Sequence, residues 1–558
     1  MLSDHCPIMA TIRLNSALIR NNGKEAEMEN IPDKHIWNAS SSETFTNILK
    51  SDEYKCKVEA LLNKKDLKMN DIKVLLMDTA NASKIRKTRN KTVDKNQPWF
   101  DKECQELKRD ILSCGKCLRS SPRDSKNREK LYMLKRKLRN MVKKKKNDYK
   151  SSIINNMCND LKSGPQKEYW RRLKKLEGRV PEQKYIPDFT LINHFKELLS
   201  DDKIKLQFEE QDENVVGSLD YPVDLEELEK AKKILKNGKG TGIDNIRNEM
   251  LVPLIDLYPQ LVLRAFNSIL KEHGTLCKDW LHSLVSAIHK KGPKEDPDNY
   301  RGIALMSCLG KLFLTVINNR LTEFCMTRGV VSPSELGFVQ GNRTSDPHII
   351  LNNLIRKYCH KRNKRIYGCF VDFSKAFDCV PRDILIKKLK DRGINGKVLE
   401  IIKTLYLEDT ASIKIGNQFS KPFKTNRGVR QGCVLSPLLF ILFLSDLQEL
   451  LDRSKDNVKL DEDLEVSCLM WADDILILSE TEEGLQRKLN TLAGYSKVNR
   501  LSVNTKKTQC MIFNKTGRLL KNYKFTYNNT TLECVREYKY LGFYSYTIRG
   551  NINRLEGP

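Results

Sequence analysis

Three aspartates carry the chemistry that this sequence can do. Asp473 and Asp474 stand side by side between two apolar runs, Cys468 to Trp471 and Ile475 to Leu478. Adjacent carboxylates repel, so the pair is a poor choice for a purely structural turn. It makes sense around a divalent cation, with a third carboxylate completing the set. Asp372, at the end of the apolar run Ile366 to Val371, is the natural third member. Mg²⁺ takes a few carboxylates and leaves room for water and substrate phosphates. Two such ions can activate an attacking hydroxyl and stabilise a leaving pyrophosphate. A further segment, Arg427-Gly428-Val429-Arg430-Gln431-Gly432-Cys433-Val434-Leu435-Ser436-Pro437, pairs two glycines with an amide. Glycine lets backbone come close to a ligand, and Gln431 offers both a donor and an acceptor. Standing alone, an Asp-Asp pair reads as a solvated turn and this segment as an ordinary loop. Apolar strand on both sides of the pair makes the metal reading more specific.

These groups need particular elements to place them. Ile366 to Val371 reads as a buried strand. Cys468 to Leu478 reads as a β-hairpin, although its tip lacks the usual glycine. Ser436 is placed as an N-cap and Pro437 as the first helical residue, with Leu438 through Leu447 forming a buried helix. Ser479 and Glu482 have capping-box spacing, and Leu485, Leu489 and Leu492 then make a helical stripe to pack beneath the hairpin. Upstream, Asp224-Leu225-Glu226-Glu227 opens a helix with acidic residues at its positive end, closed by Asn237-Gly238-Lys239-Gly240. Another helical stretch surrounds Tyr169, Trp170 and Leu173.

The composition bounds the partners. The chain has 558 residues, with 39% hydrophobic and 30% charged, and a formal charge of +28. That length allows roughly four domains. An excess of positive charge this large suits a polyanion, nucleic acid above all. Basic residues are densest from Lys126 to Lys150, where Leu131, Leu134, Leu138 and Met141 recur at helical spacing. The opposite face would carry Lys135, Arg136, Lys137, Arg139 and the block Lys143 to Lys146, fit to lie along phosphates. The longest strongly apolar run, Leu438 to Leu444, is far short of the roughly 20 residues that span a bilayer, so no membrane role is expected. The 16 cysteines are scattered, which suits free thiols in a reducing intracellular setting.

Taken together, the segments resemble a known family. Phe370-Val371-Asp372-Phe373-Ser374-Lys375-Ala376-Phe377-Asp378, then Arg430-Gln431-Gly432 with Leu435-Ser436-Pro437, then Ala472-Asp473-Asp474, occur in the order seen in reverse transcriptases. Asn299-Tyr300-Arg301-Gly302-Ile303-Ala304-Leu305, Gly337-Phe338 with Gly341 and Thr344 to Asp346, Lys507-Thr508 and Tyr540-Leu541-Gly542 resemble motifs of the LINE-type (non-LTR) retrotransposon branch. The resemblance runs from about Gly242 to Gly542. It implies an α+β right-hand polymerase fold, with fingers and an antiparallel palm sheet. It also implies RNA-templated DNA synthesis on a DNA primer from deoxynucleoside triphosphates, with two Mg²⁺ ions on Asp372, Asp473 and Asp474.

By the same resemblance Phe377 matches the aromatic gate against a ribose 2′-hydroxyl, with an ordinary core aromatic as the equal alternative. Gln431 and Gly432 border the nucleotide; Arg301 is a candidate triphosphate contact, with surface exposure as the near-equal alternative, and Lys507 a candidate proton donor to the departing pyrophosphate, with a solvated lysine at the start of a strand as the stronger reading. Asp378 reads as structural. Trp471 stands where the family has Tyr or Phe, and Gly302 where Pro is common. Ser3-Asp4-His5-Cys6-Pro7 resembles the closing motif of the family's endonuclease domain.

The domain expectations follow from these matches. They are an endonuclease remnant over 1–10, a basic helical region over 11–220, a helical lead-in over 221–279, fingers and palm over 280–545, and a truncated tail over 546–558 with the thumb largely absent. The expected setting is intracellular and nuclear. The rival reading is a catalytically inert nucleic-acid-binding remnant of such an element.

Overall fold

In the computed structural model, the residues described are 28–30, 35, 37–83, 85, 99–121, 124–163, 173, 186–208, 217–271, 275–359, 364–454, 456–459, 465–514 and 523–546. The expected endonuclease remnant, the Tyr169–Trp170 stretch and the tail beyond Tyr546 lie outside them. The chain divides into two units, one of residues 1–87 and 186–558, the other of residues 88–185.

The expected 11–220 region is therefore split. Its early helices, Ala39–Leu49, Asp52–Asn63 and Met69–Ala82, belong to the larger unit. Their few apolar residues are concentrated on one side: Phe45, Leu49, Tyr54, Val58, Ile72 and Leu76 are all buried. Tyr258 Oη donates to the Leu49 carbonyl at 3.0 Å, and Ser268 Oγ to that of Leu67 at 3.2 Å. These contacts tie the helices to the lead-in helices Asn248–Leu257 and Pro259–Lys271.

The smaller unit is built on two helices, Lys102–Ser120 and Ser125–Ser163. Leu131, Leu134, Leu138 and Met141 are half-buried, as their spacing requires, while Lys135, Arg136, Lys137 and Arg139 are exposed. One member of the basic block departs from its expected face. Lys145 is half-buried and paired with both Asp101 and Glu103, because the acidic N-terminus of the neighbouring helix meets it there.

Two sheets organise the larger unit. In the first, Thr410–Ile415 is central and parallel to His282–His289, which in turn pairs antiparallel with the edge strand Tyr300–Leu305. Met28–Asn30 joins the far edge through Gln418–Ser420. The second has the order Cys468–Trp471, Asp474–Ser479, Ile366–Asp372, Gln509–Phe513, Thr530–Cys534, Phe525–Tyr527. Its first three neighbours pair antiparallel, as expected for a palm. Ile366–Asp372 is buried from Ile366 to Val371 because it is central and covered on both faces, and only Asp372 at its end is partly open.

Two caps differ from their sequence assignments. Helix Ser436–Leu444 begins with Ser436 inside it, and the Ser436 hydroxyl donates to the Arg430 carbonyl at 2.7 Å. It ends at Leu444, three residues earlier than expected, and a separate helix, Leu447–Asp452, follows. Helix Glu482–Val498 is capped by Thr481, whose hydroxyl accepts from Gly484 N, while Ser479 accepts from Thr481 N at 3.3 Å. The Leu485, Leu489 and Leu492 stripe is buried as expected. The capping box at the start of Leu225–Lys233 joins Asp224 and Glu227.

Candidate active site

The hairpin register decides where the carboxylates meet. Trp471 pairs with Asp474, so the turn is only Ala472 and Asp473. Two-residue hairpin turns need a residue at positive φ, normally glycine or asparagine. Here Ala472 takes it, at φ 55°. The next strand places Asp474 directly across from Asp372. Cross-strand partners share a face with Cβ atoms about 5 Å apart, so two carboxylates converge and Asp473 projects from the turn beside them. Asp372 is further fixed by its backbone: its N–H donates to Thr508 Oγ1 at 3.2 Å, and its carbonyl accepts from Asn504 N at 2.8 Å.

The electrostatics follow from this crowding. Desolvation, then Asp473, then Asp372 raise the Asp474 carboxyl to about 6, although its side chain opens into the cleft. Asp473 is also raised, chiefly by burial, with Arg301 and Lys290 opposing. Oxygen donors that repel one another fit a divalent cation. Among the described residues no group of three or more His, Cys, Asp or Glu is gathered closely enough to hold an ion alone. Water and phosphate oxygens would therefore have to complete the shell, which is the Mg²⁺ habit.

A cleft of about 910 Å³ runs past Asp473 and Asp474, though Asp372 does not line it; Arg301, Phe377, Gln431 and Gly432 are among the residues that do. Four expected substrate contacts thus line one space with Asp473 and Asp474. Arg301 Nε donates to Gln431 Oε1 at 2.9 Å, and Gln431 Nε2 donates to Asp378 Oδ1 at 2.7 Å. Asp378 therefore does more than structural duty: it orients the amide that orients the arginine. Burial raises its carboxyl to about 6, against the pull of the Gln431 hydrogen bond. Gly432 has φ 112°, and a Cβ there would stand 2.8 Å from the Ala304 carbonyl oxygen. Phe377 lines the cleft while stacking on Phe440, ring centroids 4.3 Å apart. Lys507 lies elsewhere, 3.6 Å from Asp372 Oδ2 with its side chain 61% exposed.

Sequence reasoning missed Glu335. It is buried, and its Oε1 accepts from Gly337 N at 2.7 Å and from Ala472 N at 3.1 Å. Burial raises this carboxyl to about 7, though the two N–H groups favour its ionised form. Its place two residues before the glycine of a recognised motif was the only signal. Also missed was the buried ion cluster under the Gln431 loop. Arg382 and Arg430 both pair with Asp409 at 2.7 Å.

Residues 288–545 match the family described as reverse transcriptase (RNA-dependent DNA polymerase). The chain is 33% identical over 299 residues to a probable RNA-directed DNA polymerase from transposon BS of Drosophila melanogaster, covering 51% of this chain and 32% of that protein. It is 27% identical over 329 residues to the RNA-directed DNA polymerase from mobile element jockey of the same fly, covering 57% and 35% respectively. It is 26% identical over 291 residues to a retrovirus-related Pol polyprotein from type-1 retrotransposable element R2 of Nasonia vitripennis, covering 51% and 28%. The matched stretch is thus about a third of each relative's length.

Proposed function

We propose, from the match of residues 288–545 to the reverse transcriptase family, that the cleft is the polymerase site of a LINE-type retrotransposon. In this reading it joins a deoxynucleoside triphosphate to the 3′-hydroxyl of a DNA primer paired with an RNA template. The observation that carries the proposal is the register that sets Asp474 across from Asp372 with Asp473 beside them. These three would hold two Mg²⁺ ions, which when bound activate the attacking hydroxyl and stabilise the leaving pyrophosphate.

The chain's own residues bind and orient. Arg301 has its Nε committed to Gln431, which leaves its terminal nitrogens to clamp phosphate oxygens in a bidentate way. Gly432 allows backbone to border the nucleotide, and Phe377 presents a ring edge to its sugar. Lys507, paired with Asp372, is the proposed proton donor to the departing pyrophosphate. The exposed lysines and arginines of helix Ser125–Ser163 are assigned to the RNA, with affinity that falls steeply as salt displaces them. Action in the nucleus belongs to the same proposal. No helix among the described residues is long and apolar enough to cross a membrane.

Primer extension on an RNA template with Mg²⁺ tests the reading. Incorporation is expected in the parent chain and should fall on the order of 10³-fold in Asp473→Ala, the scale for losing a principal electrostatic group. A parent chain that binds template and primer but incorporates nothing would instead mark an inert remnant.

A further inference from the structure

Beside the carboxylates, the backbone holds conformations that its side chains disfavour. Ala472 has φ 55°, Phe338 φ 56° and Leu541 φ 45°. For a bulky residue such a φ is an outlier that persists only where the surroundings enforce it. Phe338 is the extreme case. Its side chain is 59% exposed, and it lines the same cleft as Trp471, Asp473 and Asp474. A lone exposed ring is ordinary, but this one sits on a peptide held at positive φ and lines the cleft.

The strain is enforced from the catalytic turn itself. Met470 exchanges backbone hydrogen bonds with the 334–336 segment, donating to Ser334 O and accepting from Leu336 N, both at 2.9 Å. Glu335 then bridges Gly337 N and Ala472 N with one oxygen. Gly337 is packed so closely that a Cβ would stand 2.8 Å from Ala472 N. The peptide presenting the Phe338 ring is thus indexed to the Ala472–Asp473 turn through three hydrogen bonds and one close backbone approach.

We propose that Phe338 is a stacking platform for a base of the template–primer, held at a fixed offset from the catalytic carboxylates. This rests on the polymerase reading above. Stacking accepts any base, because every base has a π-face, and a polymerase needs that tolerance. The platform serves the template–primer rather than the incoming nucleotide because of the sheet order. The 334–336 segment flanks Cys468–Trp471 on the edge away from Ile366–Asp372. The Arg301–Gln431–Asp378 chain, where the triphosphate is assigned, attaches on the Asp372 side through Asp378. In strand order Asp474 and then Asp372 follow Cys468–Trp471, away from that edge.

The test measures equilibrium binding of a labelled DNA primer on an RNA template by fluorescence anisotropy, using the full chain with Mg²⁺ and no nucleotide. Phe338→Ala should weaken binding about tenfold, within the range for one stacked base. Phe338→Trp should bind close to the parent. Phe338→Gly should bind as weakly as Phe338→Ala yet melt no lower than the parent, since glycine accepts this φ without strain. A merely structural phenylalanine would lose stability in both truncations. Parental affinity in Phe338→Ala overturns the proposal, as does a change confined to the KM for nucleotide. If that happens while Asp473→Ala still abolishes extension, the platform falls and the polymerase reading stands. A parent chain that neither binds nor extends overturns both.

Discussion

Two clusters of charge in the larger unit are built on opposite principles. Under the Gln431 loop, Asp409 lies between Arg382 and Arg430, and all three side chains are almost wholly buried. Arg382 also donates to the carbonyls of Gly428, Tyr406 and Thr425, and Arg430 to those of Trp280, Leu281 and Leu405. The surplus positive charge is spread over six carbonyl oxygens. At the cleft, Asp372, Asp473 and Asp474 crowd like charges, with Lys507 the one cation in ion-pair range of Asp372 among the described residues. The closed cluster holds shape. In the open one Lys507, Lys290 and Arg301 only partly offset the repulsion, and the Asp474 carboxyl stays raised.

The contrast breaks most severely at its structural end. Arg382→Ala would leave Asp409 and several carbonyls buried without their main donor. Removing one partner of a buried pair costs about 3–5 kcal/mol. Urea unfolding should show that loss, and nucleotide incorporation should fall with it, because the Gln431 loop is anchored there. A loss within about 0.5 kcal/mol would mean that the cluster is not the anchor it appears from its bonding to be.

The open cluster makes the opposite prediction. The Asp474 pKa is raised above its ordinary 3.8 to about 6, so the native state binds more protons than the unfolded chain across that window. Stability contributed by this group is full below about pH 3.8 and is lost as pH rises through about 6. Comparing metal-free parent with Asp474→Asn should show the parent losing ground to the variant between those values. Added Mg²⁺ should erase the difference. A parent that gains on the variant over the same window would sink the like-charge account.

The smallest effect sharpens the comparison at one backbone position. Ala472→Gly removes the left-handed penalty of about 1–2 kcal/mol, offset by the entropy glycine loses on folding, roughly 0.5–1 kcal/mol. Thermal melting should therefore show a gain of about 1 kcal/mol or less. Incorporation should drop modestly, as the turn that aims Asp473 loosens. A loss of stability would mean that the Ala472 methyl group packs for more than its φ costs.

Much of this was legible beforehand, for identifiable reasons. Ile366 to Val371 reads as a buried strand because a central strand must be apolar on both faces, and Leu485, Leu489 and Leu492 mark a helix because burial imposes its period on sequence. The three aspartates stood out because paired carboxylates beside apolar strand are costly without a ligand. Caps were less legible. Ser436 and Thr481 compete with neighbours one or two residues away that could cap equally well, and only the path of the entering chain selects between them. The division of residues 11–220 was not legible at all, since helices with few apolar residues look alike until a partner surface is chosen for them.

Local chemistry determined which residues are strand or helix, and the order of the motifs along the chain carried the resemblance to reverse transcriptases. Only the tertiary structure decided that Asp474 faces Asp372, that Asp378 steers Arg301 through Gln431, and that Glu335 ties Phe338 to the catalytic turn. Those partners are 102, 53 and 137 positions apart in sequence for Asp474 with Asp372, Gln431 with Asp378, and Ala472 with Glu335. Spacing along a chain carries information only over the reach of a turn or a helix, whereas pairing across a sheet is set by which surfaces bury each other.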